Sequence, residues 1–248
     1  MEGKETLQGR LADKGSSAVR KYRGIMTGDR SLWYFMKFEL VTFLLGYVPG
    51  ALGLFLRKVF YPSLFRSVGR GVVIGRNVSL RHPHKISLGE NVYVDEGCLL
   101  DAQGADEMGL VVGSDVIISR NSMLICKYGS IHIGDRANFG SNCLIGSMGR
   151  IEVGADTLFA ANCYVGGGMY RMDRTDIPVA KQGSYTRGPI VIGEGCWLGA
   201  AAVVADGVRL GRHVVMGAGA VAVKDLPDYA VAVGVPARVL RVRGESGS

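Results

Sequence analysis

The chain has 248 residues and a formal charge of +7, enough length for one large domain with an extension. Its 37 glycines and few aromatic residues argue against a helical bundle and suit many tight turns around a thin, regularly stacked core. Five cysteines, an odd count, argue against a disulfide framework and for a reducing compartment. Residues 1–70 hold twelve Lys or Arg against five Asp or Glu, while the rest of the chain has 17 of each sign. The basic character therefore belongs to the N-terminal extension, which would meet an anionic membrane surface or nucleic acid.

Residues 1–31 read as a flexible basic N-terminus. They lack the layout of a cleavable signal peptide, because no apolar core with a small-residue cleavage site follows closely. Residues 32–70 form an apolar, helical, membrane-associating segment. A spanning helix needs roughly 20 apolar residues, and Pro49-Gly50 interrupts the run near its middle. The composition predicts two short helices, about 32–47 and 50–66, dipping into one leaflet. Basic flanks, Arg20, Lys21, Arg23 and Arg30 before and Arg57, Lys58, Arg66 and Arg70 after, place both ends on the cytoplasmic side. The alternatives are an apolar pair packed on the domain or on another subunit, and a true span. Nucleic acid is the weakest reading, and no nucleic-acid partner is expected.

From residue 71 to 226 aliphatic residues recur every six positions, often followed by glycine. The series run Leu88, Val94, Leu100; Val112, Ile118, Leu124; Ile133, Phe139, Ile145; Val153, Phe159, Val165; and, after a gap, Ile192 to Ala222. Three hexads make one coil of about eighteen residues whose aliphatic residues point inward and are buried by the neighbouring coils. Cys98, Cys143, Cys163 and Cys196 share a slot with small or compact residues such as Val92 and Ala137, so they read as buried packing residues and not as nucleophiles. Cys126 lies outside the register. Asn121, Asn142 and Asn162 share a corner slot, where asparagine tolerates left-handed backbone.

Two interruptions break the repeat. Residues 101–110 read as a polar loop. Residues 166–189 form a longer one, with about nine residues more than a coil needs; it carries Tyr170, Arg171, Asp173, Arg174 and Asp176. Long loops on a rigid scaffold are where binding and chemistry usually sit, and a subunit contact is the plainer role for it. Residues 227–248 form a C-terminal cap and tail.

The repeat together with P-I-V-I-G before Trp197-Leu198-Gly199, Gly217-Ala218-Gly219, Lys224-Asp225 and Gly234-Val235-Pro236-Ala237-Arg238 resembles the hexapeptide-repeat acyltransferases, such as galactoside, maltose and serine acetyltransferases. PGALGLFLRKVFYPSLF and DRTDIP with the following RGPIVI resemble, more narrowly, membrane-linked sugar acetyltransferases of surface-polysaccharide pathways. The resemblance implies an all-β left-handed parallel β-helix with an N-terminal α-helical extension, assembled as a homotrimer. It implies acetyl-CoA or another acyl-CoA as donor and a sugar or lipid-linked glycan as acceptor at a membrane surface. Donor contacts would fall at Trp197, Ala200, Ala218, Val223, Lys224, Arg238 and Arg241, the two arginines meeting the adenosine phosphate. No metal is expected.

Acyl transfer to a hydroxyl needs a base and oxyanion stabilisation. The family's histidine at the start of the long loop corresponds here to Tyr170, and a phenol with a pKa near 10 is a poor base at pH 7. The catalytic candidates are therefore Tyr170, Asp173 and Asp176; the acceptor-side candidates are Asn142, Arg171 and Arg174. His132, on an outward position, and the corner residue His213 are weaker candidates. His82 and His84 are a conceivable metal pair but too few ligands for a zinc site. The alternatives are a membrane-bound trimeric scaffold with a degenerate site and an acyltransferase that uses an acyl carrier protein as donor.

Overall fold

The computed structural model describes residues 17–244, without the side chains of 106–108. Most of the segment expected to be flexible, residues 1–16, lies outside the described residues, as does 245–248. Within the remainder of that segment Ala18–Met26 is a helix (α1), capped by Ser17, whose hydroxyl accepts the Arg20 amide at 3.3 Å. The apolar segment folds as Leu32–Leu45 (α2) and Gly50–Phe60 (α3), followed by a 3-10 turn over Tyr61–Leu64. Ser31 caps α2, its hydroxyl accepting the Tyr34 amide at 3.2 Å, a position serine favours, and Pro49 stands at the N-cap of α3 without a side-chain cap.

The repeat folds as a parallel β-solenoid with three faces. The first face has seven strands, from Ser67–Val68 to Arg209–Leu210. The second has nine, from Val73–Ile74 to Arg238–Val242, and the third seven, from Ser79–Arg81 to Val221–Ala222. The chain visits the faces in that order, so each coil returns one strand further along every sheet. Within the three faces, among the described residues, only the final pair on the second face, Ala230–Val233 with Arg238–Val242, is antiparallel; this pair closes the C-terminal end.

Every aliphatic residue of the six-residue series is buried. On the second face Phe139, Phe159, Leu198, Met216 and Ala232 lie in register on successive strands. The rings of Phe139 and Phe159 stack at 4.5 Å and 11°. Burying a side chain of this size stabilises by roughly 1.5–3 kcal/mol, and the period repeats that gain once per face and coil.

Two expectations about the repeat are corrected. Residues 101–110 are mostly strand: Ala105–Val112 pairs with Ile86–Leu88 on one side and Gly129–Ile133 on the other. The extra residues are absorbed by a register shift between Gly129 and Ile131 and by Gly109 at φ 75°. Cys126 is in register, paired with Ser147, because the third face is longer there. All five cysteines are buried with free thiols.

Helix α2 joins the solenoid core through Phe38, and the 3-10 turn after α3 joins it through Tyr61 and Leu64, while Phe35 meets the Tyr22 ring of α1. Among the described residues no helix is long and apolar enough to cross a membrane. Arg57, expected as a basic flank, is only 2% exposed. Its guanidinium donates to the Ile74 carbonyl at 2.9 Å, Leu45 at 2.9 Å and Val48 at 2.8 Å. It thereby joins α3 to the end of α2, the turn between them and the second face.

Candidate active site

The corners between faces decide where functional side chains can stand. At the second–third corner the backbone turns through the left-handed region once per coil, at Asn77, Asn121, Asn142 and Asn162 with φ of 56–62°. In the later coils Ala201, at φ 58°, and Gly219 hold the same place. Asn142 is thus set by the turn and exposed there. Ala200 and Ala218 are exposed on the same corner, so three residues predicted for acceptor and donor contacts share one edge. Trp197 is beside them on the second face, 51% exposed, in register between Leu158 and Val215.

The long interruption leaves a different edge. Residues 167–189 depart from the third–first corner, between Tyr164–Gly166 and Ile190–Ile192. They form an arm in which Met169–Tyr170 pairs antiparallel with Ser184–Tyr185. Gln182 closes the tip: its side-chain amide donates to the carbonyls of Arg174 at 2.7 Å and Ile177 at 3.1 Å, and its oxygen accepts the Arg174 amide at 3.0 Å. Arg171 lies over the Tyr185 ring at 5.8 Å, a cation–π geometry.

The arm is fixed to the solenoid by Asp206. Its carboxylate, 6% exposed, accepts the Thr186 hydroxyl at 2.8 Å and the Arg187 amide at 2.6 Å. Asp206 was not singled out from the sequence, although a signal exists. The slot two residues after the inward aliphatic of the third face holds Ala102, Cys126, Ser147 and Gly167 in the four preceding coils, with His82 in the first coil and Lys224 in the last. A buried carboxylate in that slot needs partners, and the arm provides them. Gly167 makes room for it: a β-carbon there would lie 2.4 Å from the Asp206 Oδ1.

The loop residues differ in what they can do. Tyr170 is 56% exposed near the root of the arm. Asp176 is held by Arg174, whose Nε is 2.9 Å from its Oδ1, and this hydrogen bond lowers the carboxyl pKa. Its charge is therefore already answered. Asp173 is exposed and has no ion-pair partner among the described residues. Val223 and Lys224 follow the last strand of the third face and so stand at the third–first corner. Arg238 and Arg241 are exposed on the final strand of the second face. Within one chain, then, the arm and the Asn142–Ala200–Ala218 edge are on separate corners.

The thiols and histidines are otherwise engaged. Burial raises the pKa of Cys98 and Cys196 to about 11, and the hydrogen bond with Cys143, then burial, raises that of Cys163, so these sulfurs are protonated at neutral pH and poor nucleophiles. His132 stands outward on the first face between Val111 and Glu152. His213, expected to be solvent-exposed, is partly covered: its ring stacks on Tyr229 at 5.2 Å, over Gly195. His82 and His84 stack at 5.6 Å, and His82 Nε2 is 3.0 Å from the Gly24 carbonyl. That pair docks α1 onto the first coil. Among the described residues no group of three or more His, Cys, Asp or Glu is placed to hold a metal. A polar cleft of about 330 Å3, lined in part by Tyr47, Arg76, Glu96 and Arg120, lies beside the α2–α3 turn on the first coils.

Two family models match the solenoid: one described as bacterial transferase hexapeptide (six repeats) over residues 189–222, and one as hexapeptide repeat of succinyl-transferase over 130–167. The chain is 36% identical to the galactoside O-acetyltransferase of Escherichia coli over 185 residues, which is 75% of this chain and 68% of that protein. It is 33% identical to a probable acetyltransferase of Mycobacterium tuberculosis over 165 residues, 66% of this chain but only 54% of that protein, so it spans about half the length of that relative. Among solved structures, an N-acyltransferase from Bacillus cereus in complex with dTDP and 3-hydroxybutyryl-CoA has a TM-score of 0.50 at 22% identity, covering 75% of this chain and 88% of that one; at that identity the likeness concerns the fold. The six-residue register, the exposed corner and arm, and the identity to the galactoside enzyme over two thirds of its length converge, and the chain belongs to the hexapeptide-repeat acyltransferases, enzymes that transfer acyl groups.

Proposed function

We propose that the chain transfers an acyl group, acetyl first among them, from acyl-CoA to a sugar hydroxyl, and that it does so as a homotrimer. The observation that carries this reading is the 36% identity to a galactoside O-acetyltransferase over 185 residues. The hydroxyl oxygen attacks the thioester carbonyl carbon, the carbon–sulfur bond breaks, and the hydroxyl proton ends on the CoA thiolate. A base must take that proton first. Asp173 suits this role better than Asp176, which Arg174 already neutralises. Tyr170 would orient the hydroxyl and Arg171 would bind a neighbouring acceptor group. Arg238, Arg241 and Lys224 would meet the nucleotide end of the donor.

Separate corners for the arm and for the Asn142 edge support a site completed between subunits: the arm of one would reach the edge of the next. The outward rows of the second and third faces favour such packing, since Tyr93, Ile117, Leu158, Trp197, Met123 and Tyr164 are all exposed. A lipid-linked glycan is the acceptor that best fits the apolar helices. The alternative of a trimeric scaffold with a degenerate site rests on the resemblance, which puts the family's histidine at Tyr170.

Calorimetry with acetyl-CoA and the Lys224→Ala/Arg238→Ala/Arg241→Ala variant tests the donor half. The expected result is micromolar binding that the variant loses; absent binding by the parent protein would point to the scaffold or to an acyl-carrier donor. For the acceptor half, Asp173→Asn should lower kcat about 100-fold or more with donor affinity intact, whereas Asp176→Asn should act mainly through KM.

A further inference from the structure

We propose that the outer face of α2 and α3 is a docking surface for an anionic lipid bilayer, into one leaflet of which the helices lie without crossing it. Although the inner side of the pair is packed on the solenoid, its outer side is bare. Trp33 and Phe43 are each 81% exposed, with Met36 and Tyr47 on the same side of α2 and Leu52 and Phe55 on α3. Positions 33, 36, 40, 43 and 44 fall on one stripe of a helix with 3.6 residues per turn, and Tyr47 follows in the turn, so this is one continuous apolar surface and not scattered exposure.

The charge around it selects the occupant. Residues 17–70 contain nine Lys or Arg and two Asp or Glu. Of the nine, Arg57 is consumed inside the fold. Of the two acids, Glu39 accepts the Tyr22 hydroxyl at 3.0 Å. The two charges within α2 are turned to the protein: Lys37 donates to the Ser63 carbonyl at 2.6 Å. A second copy docked on this face would bring one basic rim against another, which costs energy. Anionic headgroups meet the same rim with opposite charge, each nearby Lys or Arg adding to the attraction.

Helix length points the same way. Helices of 14 and 11 residues reach roughly 21 and 17 Å at 1.5 Å per residue, short of a hydrocarbon core of about 30 Å. Aromatic residues on the exposed face and basic residues at its edge are the composition of an interfacial helix. This inference is independent of the acyl-transfer reading: it concerns where the protein stands, and would hold for a scaffold.

The test is sedimentation of the full chain with vesicles of phosphatidylcholine alone or with 30% phosphatidylglycerol, at low and high salt, beside Trp33→Glu/Phe43→Glu/Phe55→Glu. Those side chains are exposed, so the variant should keep the parent circular dichroism and oligomeric state. The expected result is binding to the anionic vesicles that falls severalfold with salt and at least tenfold in the variant. Equal sedimentation of parent and variant would overturn the proposal. So would a variant whose oligomer dissociates while vesicle binding is absent in both, because a second copy would then be the occupant.

Discussion

At the scale of single residues, the corner positions separate what the repeat requires from what a site requires. Ala201 adopts φ 58° where other coils have asparagine or glycine, and a β-carbon in left-handed backbone costs about 1–2 kcal/mol. Ala201→Gly should therefore stabilise the fold by about 0.5–1 kcal/mol after the extra chain entropy of glycine is subtracted, measured by urea denaturation. Its neighbour Ala200 is a predicted donor contact, so the same variant should be compared for acetyl-CoA affinity; a loss there would mean that the strained corner serves binding. His84 offers a second residue-scale test. Burial first, then the charges of His82, Arg30, Lys85 and Arg66, lower its pKa to about 4. The native state thus holds it neutral while the unfolded chain would protonate near 6.5. Stability contributed by the neutral ring is complete above pH 6.5 and lost as pH falls toward 4. A drop of about 1–2 kcal/mol across that window is expected, allowing for the part of the ring that solvent reaches, and His84→Phe should flatten that pH dependence.

At the scale of elements, two anchors carry more than the sequence pattern reveals. Among the described residues Arg57 has no carboxylate partner, and it satisfies three main-chain carbonyls. Arg57→Met keeps the apolar stem but leaves those oxygens unpaired, at about 1–3 kcal/mol for each one that stays buried. The α2–α3 pair should loosen from the first coil, seen as faster amide exchange in residues 32–64, while the later coils stay protected. Asp206→Ala removes both bonds that hold the end of the arm; the fold should survive, and acyl transfer should lose apparent acceptor affinity severalfold with little change in donor binding. Both anchors resisted reading from the sequence for one physical reason. The period of six reports which side chains point inward, and Arg57 and Asp206 matter through carbonyl, hydroxyl and amide partners distant along the chain. By contrast the inward series from Leu88 to Ala222, the cysteine slot and the Asn corner were all legible, because each is a local consequence of one coil geometry repeated.

For the molecule as a whole, the coarse plan was legible and its seams were not. The solenoid, the helical pair and the long interruption all follow from composition and period. The strand at 105–112 was missed because a register shift lets a polar stretch pair without aliphatic spacing. Which edges face one another was beyond a one-chain reading, since the arm and the Asn142 edge stand on separate corners. Substituting Trp197→Glu should test that scale: a charge on the exposed row of the second face should weaken the proposed trimer and donor binding together, visible in sedimentation velocity and calorimetry.

The N-terminal helices also bear on how the strands end. The first strands of the three faces, Ser67–Val68, Val73–Ile74 and Ser79–Arg81, would each offer an unpaired edge if nothing lay over them. Here the Ile74 carbonyl takes Arg57, the Asn77 amide reaches the Gly46 carbonyl at 2.8 Å, and the His82 amide reaches Met26 at 2.7 Å. The helices are thus a plug on a structure that could otherwise lengthen, since a bare parallel coil is a template for another coil. A chain cut at residue 66 should stack end to end into thioflavin-positive rods, so the segment proposed to meet lipid would also be the one that keeps the solenoid finite.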